Sequence, residues 1–516
     1  MSSRANGAAS ATQMTFEYFR THARRGSLVP VWRDCLLDTD TPVAAFAKLR
    51  RGPFAFLLES APAGGETWAR YTFMGTEPRA AWRLRDGVVD DWSPERGWHN
   101  ERRADDPLGD LRALIAAYEP VEAPELGAFW SGAVGYFGYD VVRLIERLPD
   151  APPAPAGRDI PDALFVFTRA LVIIDNLHAR ARVVVGVPID DTDDASLRAL
   201  HDAAHREIDD VIARLHAPST LAPLELDPDA PPARGKSSYE REKFESDVER
   251  IREYILAGDA FQVLLSRRID VPFDFDSTSL YRALRALNPS PYMYHLALDG
   301  LELVGSSPEL LVRVANGRVT VRPIAGTRPR GLTAEEDERL EAELLADEKE
   351  RAEHVMLVDL GRNDVGRIAE YGTVKVSDLM TVERYSHVLH IVSQVDGKLA
   401  DDTSTVDVFR ATFPAGTMTG APKVRAMEII YELEPERRGP YAGAIGYIAA
   451  GDRRMDLAIT IRTCVISDGT ASVQAGAGIV ADSVPSREWD ETENKARAML
   501  TAMGRVRGEK TGSRKE

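Results

Sequence analysis

Two pairs of glutamates carry the strongest chemical signal in this chain: Glu350 and Glu353 in DEKERAEHVMLVDLGRND, and Glu488 and Glu491 in SREWDETENKA. Each pair is spaced i, i+3, which on a helix places both carboxylates on one face about one turn apart. Lys495 continues the second face by another turn. Two such helices converging on one point would form a cage of hard oxygens, suited to Mg²⁺ rather than Zn²⁺, with positions open for water and an anionic substrate. Either pair alone reads first as a solvated helix face. The neighbouring segments shift that balance.

Glu309 lies in VGSSPELLVRV, between a turn and a strand-like run. A carboxyl there becomes a general acid if burial raises its pKa, and is a plain surface glutamate otherwise. RYSHVLHIVSQV offers His390 and His387, and nothing local separates them or excludes a core role. Three glycine-bearing segments could bring backbone N–H groups close to an anion: PIAGTRPRG with Gly326 and Thr327, FPAGTMTGAPK with Thr417 and Lys423, and QAGAGIV with Gly476 and Gly478. Arg462, read on the strand AITIRTCVIS, is a bidentate carboxylate clamp. Together with a tyrosine, these groups describe a site for a small dianion: a metal for one carboxylate, an arginine and glycine amides for another, and an acid and an imidazole between.

The elements that must position them follow from patterning. The Pro- and Asp-rich stretch 217–236 divides the 516 residues. Before it (residues 1–216), the runs at 54–60, 68–75, 127–140 and 163–175 read as strands of a mainly antiparallel sheet, with a helix near 195–215. After it (237–504), strands are expected at 262–271, 292–298, 319–323, 441–449, 457–467 and 470–475, and helices near 335–360, 404–412, 422–433 and 487–504. Residues 505–516 read as a disordered tail. Strands cluster between helices without strict alternation, so the class is α+β. SGAVGYFGYD (131–140) and AGAIGYIAAGD (442–452) echo each other faintly, which coincidence would explain. A formal charge of −17 disfavours nucleic acid and anionic membranes as partners. With only Cys35 and Cys464 there is no disulfide framework. The first residues lack an apolar signal-like core and no run is long enough to span a bilayer, so a soluble cytoplasmic protein is expected.

At these residues the chain resembles the chorismate-utilising enzymes, and among them the first components of anthranilate synthases. The resemblance is carried by LLES (57–60), FQVLLSRR (261–268), NPSPYMYH (288–295), GSSPE (305–309), PIAGTR (323–328), DEKERAEHVMLVDLGRNDVGR (347–367), RYSHVLHIVS (384–393), FPAGTMTGAPKVRAMEII (413–430), YAGAIGY (441–447), QAGAGIVADS (474–483) and ETENKA (491–496). It implies an interlaced α+β fold with two large antiparallel sheets flanked by helices. It also implies Mg²⁺ on Glu353 and Glu491 with Glu350 and Glu488 assisting, a ring carboxylate near Gly326, Thr327 and Thr417, and an enolpyruvyl carboxylate on Arg462, Tyr441 and Gly476 near Lys495. Glu309 would protonate the departing C4 hydroxyl while ammonia adds at C2, and His390 would assist loss of pyruvate from 2-amino-2-deoxyisochorismate to give anthranilate, the first step from chorismate toward tryptophan.

Two positions separate the relatives. Isochorismate synthases carry a water-activating lysine where Gln262 stands, and aminodeoxychorismate synthases a nucleophilic lysine where Ala325 stands. Neither cysteine has the Gly-flanked setting of an amidotransferase nucleophile, so a glutamine amidotransferase subunit is expected to supply ammonia, in a heterotetramer of two large and two small subunits. The resemblance also implies feedback inhibition by tryptophan through Glu59, Ser60, Asn288, Pro291, Tyr292 and Met293, with Cys464 adjacent. The rival readings are an aminodeoxychorismate synthase component I and a catalytically silent tryptophan-sensing subunit.

Overall fold

The computed structural model describes residues 15–60, 70–219, 221–385 and 388–512. The short apolar runs become strands of two large sheets, of 13 and 12 strands, antiparallel except where Ser27–Leu28 meets Glu119–Pro120. In the first sheet Gln262–Pro272 is followed by Thr470–Ile479, Thr463–Ser467, Leu301–Ser307 and Tyr292–Leu298, and then by Phe54–Glu59, Tyr71–Thr76, Ala170–Asp175, Arg180–Pro188 and Ser27–Leu36. In the second, Ile324–Pro329, Val388–Lys398, Arg318–Val321, Leu310–Ala315, Met455–Ile459 and Ala444–Ala449 precede Gly132–Phe137, Ala163–Phe167, Ala80–Arg85, Val88–Ser93 and Gly97–Arg103. This is the interlaced α+β class expected. Both halves of the sequence enter both sheets, so the stretch 217–236 divides the sequence and not the space.

Alternation explains how the layers stack. Along Gly132–Phe137, Val134 and Tyr136 enter one buried cluster with Leu28, Leu57 and Leu303 of the first sheet. Ala133 and Phe137 enter another, against Val358, Phe409 and Ile430 on the flanking helices. The second sheet is thus buried on both faces here, which is why its strands read as continuous apolar runs.

The two echoing segments are adjacent strands, and Gly135 lies opposite Gly446. A Cβ at Gly135 would stand 2.0 Å from the Leu164 carbonyl oxygen, and one at Gly446 2.1 Å from that of Asp456. Glycine recurs because each lies against a neighbouring strand's carbonyl.

Four expectations need correction. The run 163–175 is two strands, Ala163–Phe167 in the second sheet and Ala170–Asp175 in the first. The run 457–467 is two strands, Met455–Ile459 in the second sheet and Thr463–Ser467 in the first. Arg462 sits in the crossing between them at φ 52°, in the left-handed region, because the chain must change direction to switch sheets. The helix expected near 335–360 is two, Ala334–Ala346 and Glu348–Gly366, since Asp347 leaves the helix to cap the second by accepting from Lys349 N (3.0 Å) and Glu350 N (3.2 Å). The last helix runs from Pro485 to Gly512, past the point where a disordered tail was expected. Gly504 is no cap: a Cβ there would lie 2.1 Å from Pro231 O, so glycine lets the 217–236 stretch pack across the helix, with Ala233 N donating to Leu500 O at 2.8 Å. Among the described residues no helix is long and apolar enough to cross a membrane.

Candidate active site

A cavity of about 970 Å³ opens where the two sheets and the helices Glu348–Gly366 and Pro485–Gly512 meet. Glu309, His390, Gln262, Gly326, Thr327, Thr417, Tyr441, Arg462, Gly476, Gly478, Lys495, Glu350, Glu353, Glu488 and Glu491 all line it. Ala325 lines it too and brings no nucleophile. His387 lies outside the described residues.

Glu309 enters the strand Leu310–Ala315, where the register shifts between Leu310 and Val312. Its carboxyl is buried, and Thr417 on the short turn Gly416–Met418 donates to Oε1 at 3.0 Å. Burial pushes its pKa up to about 8, against the smaller opposing effects of Thr417, the Ile324 amide and Lys495. A carboxyl so placed is an acid at neutral pH.

His390 lies on Val388–Lys398 directly opposite Thr327. Its Nδ1 is 2.9 Å from Gly326 O and 3.1 Å from Thr327 Oγ1. A carbonyl only accepts, so Nδ1 carries the hydrogen and Nε2 keeps its lone pair. Burial lowers the imidazole's pKa, and the Tyr385 ring stands edge-on at 5.3 Å. The neutral ring has one free basic nitrogen. Gly326 makes this possible: at φ 68°, inside a register shift, it turns its carbonyl to the histidine, and a Cβ there would crowd Leu344 at 3.1 Å and Glu350 Oε2 at 3.2 Å.

The two acidic pairs face the same cavity from two helices. Each of three carboxylates is held by a donor: Glu353 by Gln262 Nε2 (3.0 Å), Glu491 by Lys495 Nζ (2.6 Å), and Glu350 by Arg328 Nη1 (3.3 Å). Burial, with the partner carboxylate adding to it, raises the pKa of both Glu350 and Glu488. Among the described residues no three acidic, histidine or cysteine side chains form a ready metal cluster.

Arg462 Nη1 donates to Lys495 O at 3.3 Å, and Lys495 Nζ donates to Gly476 O at 3.0 Å, so the sheet crossing, the last helix and the QAGAGIV strand lock together. Gly478 has a role the sequence reading missed. A Cβ there would meet Gln262 Nε2 at 2.5 Å, so glycine makes room for the amide that reaches Glu353. Arg328, beside the expected PIAGT cradle, was also missed; it gathers Glu343, Asp347 and Glu350.

The residues assigned to tryptophan lie mostly off the cavity. Glu59 pairs with Met293 across adjacent strands and accepts from Tyr281 OH at 2.5 Å. Ser60 follows that strand, and Pro291 precedes Tyr292, whose hydroxyl donates to Asp456 at 3.2 Å. Cys464 is buried opposite Val304 in the same sheet. Only Asn288 of this set lines the cavity, its carbonyl held by Ser306 Oγ at 2.5 Å.

The family profile of chorismate binding enzymes matches residues 56–501, and the chain belongs to that family. Within it, the chain is 47% identical over 493 residues to anthranilate synthase component 1 of Aquifex aeolicus, covering 95% of this chain and 97% of that one. It is also 47% identical to the component 1 of Pseudomonas aeruginosa, covering 94% and 98%. The crystal structure of anthranilate synthase component I from Streptococcus pneumoniae superposes with a TM-score of 0.74 at 37% identity, over 90% of this chain and 99% of that one. The menaquinone-specific isochorismate synthase of Escherichia coli, at 19% identity and a TM-score of 0.67 over 95% and 98%, shares the fold. The chain is an enzyme, a lyase of the anthranilate synthase component I type.

Proposed function

We propose that the enzyme converts chorismate and ammonia to anthranilate, pyruvate and water through 2-amino-2-deoxyisochorismate, as the first step from chorismate toward tryptophan. The observation that carries this reading is the buried Glu309 carboxyl, kept protonated and facing a cavity whose other walls offer a neutral imidazole, an arginine and two acidic pairs. Glu309 delivers its proton to the C4 hydroxyl, which leaves as water while ammonia adds at C2. His390 Nε2 then takes the C2 proton, and the enolpyruvyl group departs as pyruvate once its methylene is protonated. Arg462, Tyr441 and the Gly476 amide orient the enolpyruvyl carboxylate, with Lys495 and Gly478 beside them; Gly326, Thr327 and Thr417 flank the ring. Gln262 holds Glu353 and is no base, and Ala325 offers no covalent route through the ring, which argues against aminodeoxychorismate synthesis.

The four carboxylates suit a hard divalent cation: Glu353 and Glu491, with Glu350 and Glu488, would hold Mg²⁺. When bound, the ion neutralises a substrate carboxylate that would be costly to desolvate in a closed site.

Ammonia must come from elsewhere. Burial pushes up both thiols, Cys35 with help from Asp34, so neither is a ready thiolate nucleophile. A glutamine amidotransferase subunit, the second component that the relatives' naming implies, supplies it, in a heterotetramer of two large and two small subunits in the cytoplasm. Tryptophan inhibits through Glu59, Ser60, Asn288, Pro291, Tyr292, Met293 and Cys464; Asn288 links this set to the cavity wall. The test is fluorescence of the purified chain with chorismate, Mg²⁺ and ammonium. Anthranilate emission, lost with EDTA and suppressed by tryptophan, is expected. Chorismate consumed without emission would overturn the reaction assigned.

A further inference from the structure

The helix Glu348–Gly366 carries chemistry at both ends. Glu353 and Asp364 are 11 residues apart, three turns, so they share a face with Leu357 and Leu360 between them. At the far end Asp364 Oδ2 receives Lys423 Nζ at 2.9 Å, with only 12% and 16% of the two side chains exposed. Lys423 opens the helix Lys423–Leu433, which follows the Thr417 turn Gly416–Met418 after the short strand Gly420–Ala421 and Pro422. That turn is seated on the same helix face: a Cβ on Gly416 would lie 2.7 Å from Leu360 Cδ1. A small cavity of about 40 Å³ joins the parts, bordered by Glu309, Thr417, Gly416, Leu360 and Asp364.

We propose that Asp364 and Lys423 form a positioning pair that clamps the Thr417 turn, and through Thr417 the Glu309 carboxyl, in fixed register with the helix bearing Glu350 and Glu353. The proposal rests on the role given above to Glu309. A buried ion pair contributes little net stability once its desolvation is counted, but it is costly to break by removing one member, which suits a part whose task is geometry. A proton donor displaced by an ångström loses much of its rate, whereas a binding cavity tolerates the same shift.

The test uses Asp364→Asn, Lys423→Met and Thr417→Val in the full chain, with ammonium as amine source and free ammonia held constant across pH. Across the main cavity the charged and titratable groups facing Glu309 are Lys495, Arg462, Lys349, His390, Tyr441 and the pairs Glu350/Glu353 and Glu488/Glu491; across the small cavity they are Asp364 and Arg322, the latter held by Glu383. If the pair acted only through charge, Asp364→Asn would move the alkaline limb of kcat down and Lys423→Met would move it up. Positioning predicts the same direction for both. Losing the Thr417 hydrogen bond, which favours the carboxylate, raises the limb by about half a pH unit in either variant, with kcat down roughly ten-fold and KM for chorismate unchanged within about two-fold. Combining either change with Thr417→Val should add nothing further, because both act through one bond. Lys423→Arg should recover part of kcat. Opposite limb shifts, additive losses, or a rise in KM with kcat intact would overturn the proposal. Should Asp364→Asn fail to fold, the Lys423→Met and Thr417→Val cycle decides alone. Chorismate consumption is followed beside anthranilate, so absence of anthranilate from the unaltered enzyme counts against the reaction and not against the pair.

Discussion

Replacing Glu309 by glutamine separates two consequences of burying one carboxyl. With a pKa of about 8, the group is about nine-tenths protonated at pH 7; at its ordinary 4.5 it would be well under one per cent protonated. The rise of roughly 3.5 units corresponds to about 5 kcal/mol, an upper limit because the site relaxes. The sign follows from linkage. A carboxyl whose pKa is raised by folding favours the folded state fully below its unfolded pKa, and that contribution is lost as pH rises through the folded value. The wild-type enzyme therefore loses stability at this position between about pH 4.5 and pH 8, while glutamine, neutral throughout, loses none. Urea unfolding of both proteins at pH 5 and pH 9 measures the difference; every other titrating group is common to both. Glu309→Gln should gain a few kcal/mol on the wild type between the two pH values, up to about 4 kcal/mol because pH 5 already lies above the unfolded pKa, and lose about 10²- to 10⁴-fold in kcat. Parallel stability curves would show that the carboxyl is ionised and solvated, and the acid role would fall with it, however inactive the variant.

Glu491→Gln tests the metal reading without activity: Mg²⁺ should raise the melting temperature of the wild type and leave the variant's unmoved. His390→Asn should keep the first step and slow the second, so chorismate disappears while a non-aromatic amino intermediate builds up ahead of fluorescence; equal slowing of both steps would refute the base role. Ser60→Arg should abolish inhibition by tryptophan with kcat intact, measured by titrating tryptophan into the ammonium-dependent assay. Gly446→Val should destabilise the fold by about 3 kcal/mol or more in urea unfolding, since its Cβ has no room against Asp456 O.

What the sequence disclosed and what it withheld divide along a physical line. Residue type and helical spacing are local, so the acidic pairs, the lysine after them and the amphipathic helices at 405–412 and 423–433 were legible. Buried strands such as Phe54–Glu59, Ala163–Phe167 and Tyr292–Leu298 were legible as apolar runs, whereas Arg180–Pro188 and Leu301–Ser307, equally buried, were not anticipated. The strands Ile324–Pro329 and Val388–Lys398 were not legible, because polar residues of the site interrupt them, and Lys375–Arg384 was not, because it is polar and largely exposed. The assignment of His390 rather than His387 came from resemblance; the contact that fixes the hydrogen on His390 Nδ1 depends on Gly326, 64 residues away. Burial sets the pKa of Glu309, and burial is a property of the fold, invisible in SSPELL. Gly326, Gly476 and Gly478 were read as anion cradles; Gly478 also accommodates the Gln262 side chain, Gly504 receives the 217–236 stretch, and Gly135 and Gly446 lie against neighbouring carbonyls. In each case the missing information was which distant segment comes close, and the residue that records such an approach is the one with no side chain to describe it. The faint echo between 131–140 and 442–452 belongs to the same class. Four or five shared residues could not carry it as sequence, but two central strands, each forced to glycine where a neighbouring carbonyl packs, account for its shared glycines by sterics.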